Sequence, residues 1–167
     1  KNHLKQQSSK LSRLKPPHGF SSSQTQEALQ QGIAFHQSGR LDEALHWYLE
    51  VLKIQPENAM VLSNIGAVLH GQGRMDEAIS YWQNAISISP DHTEAHNNLG
   101  VVLQDLGKLE EAAASYQKAI SITPNHLEAN NNLGVVLQDL GESERAITCY
   151  HKAISIKPDF SDAHNNL

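Results

Sequence analysis

Through most of the chain, apolar and polar residues follow one another at the three- and four-residue spacing typical of an amphipathic α-helix. The clearest example runs from 93 to 107, where the pattern stops at Gly107. Its apolar positions are Ala95, Leu99, Val102, Leu103 and Leu106. The spacing predicts a helix that buries one face, and the glycine predicts its end.

A second helix is predicted immediately afterwards, beginning near Leu109. Its apolar positions are Ala112, Tyr116, Ala119, Ile120 and Ile122. Pro124 cannot continue a helix, because it has no backbone N–H and its ring clashes with the preceding turn. The pattern therefore predicts a unit of two helices followed by a turn.

This two-helix unit repeats with a period of 34 residues, and 93–126 and 127–160 are identical at 22 of 34 positions. The columns that recur are Gly32, Gly66, Gly100 and Gly134; Gly39, Gly73, Gly107 and Gly141; Ala44, Ala78, Ala112 and Ala146; Tyr48, Trp82, Tyr116 and Tyr150; and Pro56, Pro90, Pro124 and Pro158. A fixed period of this kind is the signature of a repeat architecture. We predict full repeats at 25–58, 59–92, 93–126 and 127–160, with a partial repeat at 161–167.

Small residues at the predicted crossing of the two helices give part of this recurrence a packing reason. Gly100 on the first helix, with Ala112 and Ala119 on the second, lets the two backbones approach closely. Tyr116 is expected to fill the remaining gap. A single helix pair cannot cover all of its apolar residues, so the isoleucines that end the second helix should be covered by the next repeat. The repeats are therefore expected to stack into a solenoid.

These features resemble the tetratricopeptide repeat family. The period, the Leu99-Gly100 pair, the paired alanines, the aromatic position and the closing proline all match its pattern. The resemblance implies an all-α fold, a right-handed superhelical solenoid of antiparallel helix pairs whose first helices line a concave groove. Members of the family have a bulky aromatic residue early in the first helix. This sequence departs from that pattern, since the column holds Ala28, Leu62, His96 and Asn130.

The resemblance makes the groove-facing residues of the first helices candidates for binding a partner. The candidates are Asn64, Asn98, Asn132 and Asn166 in one column, Asn97, Asn131 and Asn165 in its neighbour, and Val101 and Val135 in a third. A side-chain amide has a donor and an acceptor that match a peptide backbone. With first helices about 10 Å apart and about 3.3 Å per extended residue, one asparagine would meet roughly every third residue of a bound peptide. In the alternative, the asparagines hydrogen-bond neighbouring helices and stiffen the groove floor.

The other groove columns hold further polar side chains. They are His36, His70, Gln104 and Gln138, with Glu94, Asp105, Glu128, Asp139 and Asp162 beside them. The full first helices contain no Lys or Arg. The basic clamp with which chaperone-binding members of the family hold a C-terminal carboxylate is therefore not expected.

The asparagine columns over 59–167 also resemble the repeat domain of protein O-linked N-acetylglucosamine transferases. We predict a non-catalytic scaffold that binds extended protein or peptide segments. The resemblance implies an alternative, in which the repeats recruit substrates for a glycosyltransferase domain beyond this sequence. A third, purely structural interpretation is a self-associating spacer.

The formal charge of the 167-residue chain is −5, which argues against nucleic acid as a partner. Residues 1–24 nevertheless carry +5 without any acid and are rich in serine. This composition predicts a flexible basic arm or linker, with a membrane-surface or transit segment as the alternative. No apolar run approaches the roughly 20 residues that span a bilayer, so no membrane partner is expected.

No cofactor, metal site or catalytic residue is predicted. A single cysteine, Cys149, leaves no internal disulfide or multi-cysteine zinc site and fits a reducing compartment such as the cytoplasm. His92 and His96 are four residues apart and could share a helix face. No third ligand is placed beside them, so surface histidines are expected.

The sequence is expected to be part of a longer protein, since it has no initiator Met and stops inside a predicted first helix. Ile154 and Ile156 occupy the columns of Ile120 and Ile122. With no complete helix after them, they are expected to lie on an open apolar face. Exposed patches of this kind favour association, which predicts self-association at the C-terminal edge.

Overall fold

The computed structural model describes residues 22–167, which form nine α-helices and contain no strand. The helices are α1 (Ser22–Gln37), α2 (Leu41–Ile54), α3 (Ala59–Gly71), α4 (Met75–Ile88), α5 (Thr93–Asp105), α6 (Leu109–Ile122), α7 (Leu127–Asp139), α8 (Ser143–Ile156) and α9 (Ser161–Asn165). The predicted all-α fold is confirmed, and each full repeat contributes one pair of helices.

The first helix begins at Ser22, earlier than the predicted start of the array at residue 25. The serine-rich composition was interpreted as a linker, yet serine is also favoured at helix N-termini. The rest of the predicted basic arm, residues 1–21, lies outside the described residues.

The chain divides into two compact units after Pro56. The described part of the first unit is the pair α1 and α2, which pack against each other. Tyr48 and Val51 of α2 are buried in this pair. A Cβ built at Gly32 would lie 2.7 Å from the Tyr48 ring, so only glycine leaves room for that side chain.

In the second unit, each helix packs against the next along the chain. The pairs are α3 with α4, α5 with α6 and α7 with α8, while α4 also packs on α5, α6 on α7 and α8 on α9. The largest fully buried side chains of this unit are Trp82, Tyr116, Tyr150, Ile65, Leu69, Leu137, Val61, Val68, Val102 and Val136. The apolar face of each pair is therefore covered by the following pair, as stacking of repeats requires.

The predicted crossing at Gly100 is present. A Cβ on this glycine would lie 2.6 Å from Cε1 of Tyr116, whose side chain is fully buried. Ala112 and Ala119 are fully buried as well. Gly66 makes the same approach to the ring of Trp82 in the preceding pair, so the glycine column serves helix packing.

The second glycine column ends the first helices. Gly107 has a φ of +72°, in the left-handed region that glycine adopts without a Cβ penalty. Its N–H donates to the Gln104 carbonyl at 2.8 Å, and the Lys108 N–H donates to the Leu103 carbonyl at 2.8 Å. These two bonds form a Schellman motif, which closes the helix and reverses the chain.

A polar contact joins the start of a first helix to the proline that precedes it. His96 Nε2 lies 3.0 Å from the Pro90 carbonyl oxygen, and Asn130 Nδ2 donates to the Pro124 carbonyl at 3.2 Å. His164 repeats the contact with Pro158 at 2.8 Å. The polar residues that replace the family's early aromatic therefore contact the carbonyl of the proline in the preceding turn.

The prediction that Ile154 and Ile156 lie on an open apolar face is wrong. Both are half-buried, the same burial as their counterparts one repeat earlier. Although α9 is short, it packs on α8, and Phe160 and Ile154 both pack against the core. The exposed apolar side chain on α8 is Ile147, at 44%.

Candidate binding surface of the first helices

One face of each first helix in the second unit carries the predicted binding residues. On α5, Glu94, Asn97, Val101 and Asp105 are spaced by three and four residues, which places them on one stripe of the helix. We call this stripe and its equivalents on the neighbouring first helices the groove stripe. They are Met60, Ser63, Ala67 and Gly71 on α3, and Glu128, Asn131, Val135 and Asp139 on α7.

Successive first helices are neighbours, so their stripes form a continuous surface within the second unit. α3 contacts α5, and α5 contacts α7. Between the first two, His70 Nε2 lies 2.9 Å from Asp105 Oδ2. Farther along, Asn166, which directly follows α9, donates through Nδ2 to Asn131 Oδ1 of α7 at 3.4 Å.

The column of Asn97 and Asn131 is the more buried of the two asparagine columns. Their side chains are only 9% and 7% exposed. Because Asn131 receives a hydrogen bond from the next first helix, this column fits the interpretation in which asparagines stiffen the floor. Asn165, the last member of the column, is exposed.

The neighbouring column keeps most of its amide groups available, although its last member, Asn166, donates to Asn131. Asn64, Asn98 and Asn132 are half-buried. Asn98 Oδ1 accepts a hydrogen bond from Asn97 Nδ2 at 3.4 Å. Among residues 22–167, the side chains of Asn64 and Asn132 make no hydrogen bond, and neither does Asn98 Nδ2. The two columns that the sequence placed side by side therefore differ in what they can bind.

Val101 and Val135 contribute an apolar strip beside these amides. Both are half-buried and pack against the core. Each leaves part of its side chain on the surface, where an apolar group of a ligand could contact it. The strip adds a modest hydrophobic contribution, since stabilisation scales with the apolar area removed from water.

The glutamine column has a structural partner. Tyr116 donates its hydroxyl to Gln104 Oε1 at 3.0 Å, and Tyr150 donates to Gln138 Oε1 at 2.9 Å. Burial raises the pKa of both tyrosines, so the hydroxyls stay protonated and act as donors. These glutamines orient the core aromatics.

The groove stripes of α5 and α7 are acidic, whereas the stripe of α3 contains no acid. Helices α3, α5, α7 and α9 contain no Lys or Arg. The side chains of Glu94 and Glu128 are 66% and 64% exposed, and that of Asp105 is 48% exposed. The surface therefore presents carboxylates and amides to solvent without a compensating basic side chain on the same helices.

Sequence reasoning missed the role of the histidines that precede α5 and α7. His92 Nδ1 accepts from the Ala95 N–H at 3.3 Å, and His126 Nδ1 accepts from the Ala129 N–H at 3.2 Å. Asn58 caps α3 in the same way. An asparagine in the same column of the repeat was the available signal, because asparagine is among the preferred N-cap residues.

These contacts also account for the histidine pair considered as a metal site. His92 caps a helix, while His96 contacts a proline carbonyl. Among residues 22–167, no cluster of three or more His, Cys, Asp or Glu side chains could hold a metal ion. Cys149 is half-buried, and burial raises the pKa of its thiol, which disfavours the reactive thiolate.

The sequence comparisons identify the family. Profiles described as "Tetratricopeptide repeat" match residues 57–125 and 127–160, and one described as "TPR repeat" matches residues 32–73. A solved structure of MamA is 30% identical, with a TM-score of 0.72 over 81% of this chain and 79% of that chain. The chain belongs to the tetratricopeptide repeat family.

Two other solved structures are described with a peptide. One is YrrB, "a TPR protein with an unusual peptide-binding site", 27% identical with a TM-score of 0.70 over 87% of this chain and 75% of that chain. The other is the first TPR of Spaghetti (RPAP3) "bound to HSP90 peptide SRMEEVD". It is 26% identical, with a TM-score of 0.68 over 72% of this chain and 96% of that chain.

No curated protein matches the chain. The narrower resemblance to O-linked N-acetylglucosamine transferases gains no support from the matched families or structures. In the part of the chain that the structure describes, no helix is both long and apolar enough to cross a membrane.

Proposed function

We propose that the second unit is a non-catalytic module that binds extended segments of partner proteins along its groove stripes and the asparagine column beside them. The observation that carries this proposal is the column of Asn64, Asn98 and Asn132. Unpaired amide groups on a half-buried surface lack partners that a peptide backbone supplies, since each peptide unit has one donor and one acceptor.

The spacing of the column suits an extended chain. Helices in contact pack at about 8–10 Å, and an extended peptide advances about 3.3 Å per residue. One amide on each first helix would therefore meet about every third residue. Contacts to the backbone would favour extended segments over any one side-chain sequence.

The solved relatives support the same kind of ligand. The printed descriptions of YrrB and of the RPAP3 repeat each refer to a peptide. By analogy, the partner of this chain is a protein segment, although the SRMEEVD peptide itself is a poor candidate. Its run of acids would face a surface whose first helices contain no Lys or Arg.

Nuclear magnetic resonance can test the location of binding. Peptides selected from a random library on the immobilised protein would be titrated into protein labelled with nitrogen-15, and side-chain amide signals would be assigned by Asn→Ala substitution. We expect the signals of Asn64, Asn98 and Asn132 to shift, while those of Asn84 and Asn125, which are exposed elsewhere, remain in place. Shifts confined to Asn84 and Asn125, or failure to select any peptide, would contradict the proposal.

A further inference from the structure

We infer that the groove stripes select cationic segments, namely extended peptides with Lys or Arg at about every third position. This inference rests on the proposed function and adds the chemistry of the partner. Its first basis is the pairing of an acidic rail at the start of α5 and α7 with a second rail near the ends of the same two helices. Glu94 and Glu128 belong to the former, and Asp105 and Asp139 to the latter.

The two rails flank the unpaired amides. Glu94 and Asp105 are eleven residues apart on α5, or about 16 Å at 1.5 Å per residue. Fully extended lysine or arginine side chains on a peptide lying between the rails can reach either side. Because neighbouring first helices are about 10 Å apart, carboxylates along one rail are separated by about three extended residues.

No Lys or Arg on the same helices pairs with the carboxylates of the first rail, which lie in the first turn, where the helix dipole favours negative charge. His92 Nδ1 lies 3.8 Å from Glu94 Oε2, and His126 Nδ1 lies 3.6 Å from Glu128 Oε2. Each of these nitrogens accepts the N-cap hydrogen bond from the backbone. An Nδ1 atom that accepts this bond does not donate to the carboxylate in the same arrangement.

An independent observation points to a donor-rich ligand. Asn97 lies in the same stripe between the two rails and is nine-tenths buried. Its Oδ1 has no hydrogen-bond donor among the described residues, and a buried acceptor without a donor is costly. The terminal torsion of asparagine is broad, which allows this amide to turn toward an incoming N–H group. Ammonium and guanidinium groups supply such donors and the positive charge that the carboxylates lack.

One contact modifies the second rail. Asp105 Oδ2 is within hydrogen-bond distance of His70 Nε2, whose side chain is 28% exposed. The first rail is therefore the better place to test the inference, since Glu94 and Glu128 are the more exposed carboxylates.

The experiment compares three fluorescent peptides of about ten residues, which span about 33 Å when extended. They carry lysine, glutamine or glutamate at every third position and are otherwise identical. Affinity for the full chain would be measured by fluorescence anisotropy. We expect the lysine peptide to bind at least about fivefold more tightly than the glutamine peptide, with the glutamate peptide the weakest. This preference should shrink between about 0.1 M and about 1 M salt, as the screening length falls from about 10 Å to about 3 Å.

Two double variants locate the effect. Glu94→Gln with Glu128→Gln removes the first rail, and we expect the lysine preference to fall below about twofold. The matched control, Glu110→Gln with Glu144→Gln, removes the same charge from exposed residues at the second position of α6 and α8. It should leave the preference unchanged.

The outcomes separate this inference from the proposed function. Equal binding of the lysine and glutamine peptides would overturn the cationic preference while leaving backbone recognition intact. An equal loss of the lysine preference in both double variants would also overturn the inference, because the attraction would then depend on the total charge of the protein and not on the first rail. Failure of all three peptides to bind would contradict the proposed function together with this inference.

Discussion

Replacement of Gly100 by alanine reverses the usual effect of that substitution in a helix. Alanine normally stabilises a helix interior by about 1 kcal/mol relative to glycine. Here its Cβ would lie 2.6, 2.7 and 2.9 Å from three ring atoms of Tyr116. We therefore expect Gly100→Ala to destabilise the protein.

The structure limits how the clash can be relieved. The Tyr116 side chain is fully buried and its hydroxyl donates to Gln104 at 3.0 Å. Relief thus requires the ring or the α6 backbone to move. Overpacking of a core costs about 1–3 kcal/mol, so after the gain of about 1 kcal/mol in helix propensity a net loss of up to about 2 kcal/mol is expected.

Urea unfolding monitored by circular dichroism would measure this loss, and a double-mutant cycle with Tyr116→Ala supplies the control. With the ring removed, the same Gly100→Ala change should become neutral or stabilising, because the space is then open. If Gly100→Ala stabilises the otherwise unchanged protein, the reasoning about a close helix crossing is refuted.

Two further substitutions probe the helix ends. His126→Ala should lower the free energy of unfolding by about 0.5–2 kcal/mol, since it removes the N-cap of α7. His126→Asn should retain stability, because asparagine caps α3 at Asn58. Equal losses of stability in both variants would argue against capping. Gly107→Ala should lower the free energy of unfolding by about 1–2 kcal/mol, because φ is +72° and this region is strained for alanine. No atom lies within 4 Å of the added Cβ, so the cost comes from the backbone alone. An unchanged urea midpoint would contradict the assigned turn.

The fold could be predicted because each repeat contains the residues that determine its own helix crossing and helix ends. Gly100 and Tyr116 specify a close crossing, and Gly107 and Pro124 specify where helices end. These features act within one repeat, where sequence spacing determines contacts. Their recurrence at 34 residues then implies a stack.

The functional surface was less predictable because it depends on contacts between repeats. Asn97 and Asn98 are adjacent in sequence, yet Asn97 is buried and Asn98 keeps a free N–H₂ group. Which of the two side chains is buried depends on the direction in which the next first helix lies. A column in the sequence does not specify that direction. The prediction of an open apolar face at the C-terminal edge is wrong for a similar reason. Despite its short length, α9 packs on α8, and Ile154 packs against the core.

The central claim is that unpaired asparagine amides bind a peptide backbone. The most direct test is Asn64→Ala with Asn132→Ala, two side chains without a hydrogen bond among residues 22–167. The control is Asn84→Ala with Asn125→Ala, which removes exposed amides outside the groove stripes.

Calorimetry with a library-selected peptide would give the affinity, and urea unfolding would give the stability. Loss of two net hydrogen bonds at about 0.5–1.5 kcal/mol each predicts an affinity about five to 140 times weaker, with stability unchanged and the control variant normal. Unchanged affinity together with a clear loss of stability would show that these asparagines hold the helices together, and would contradict the claim.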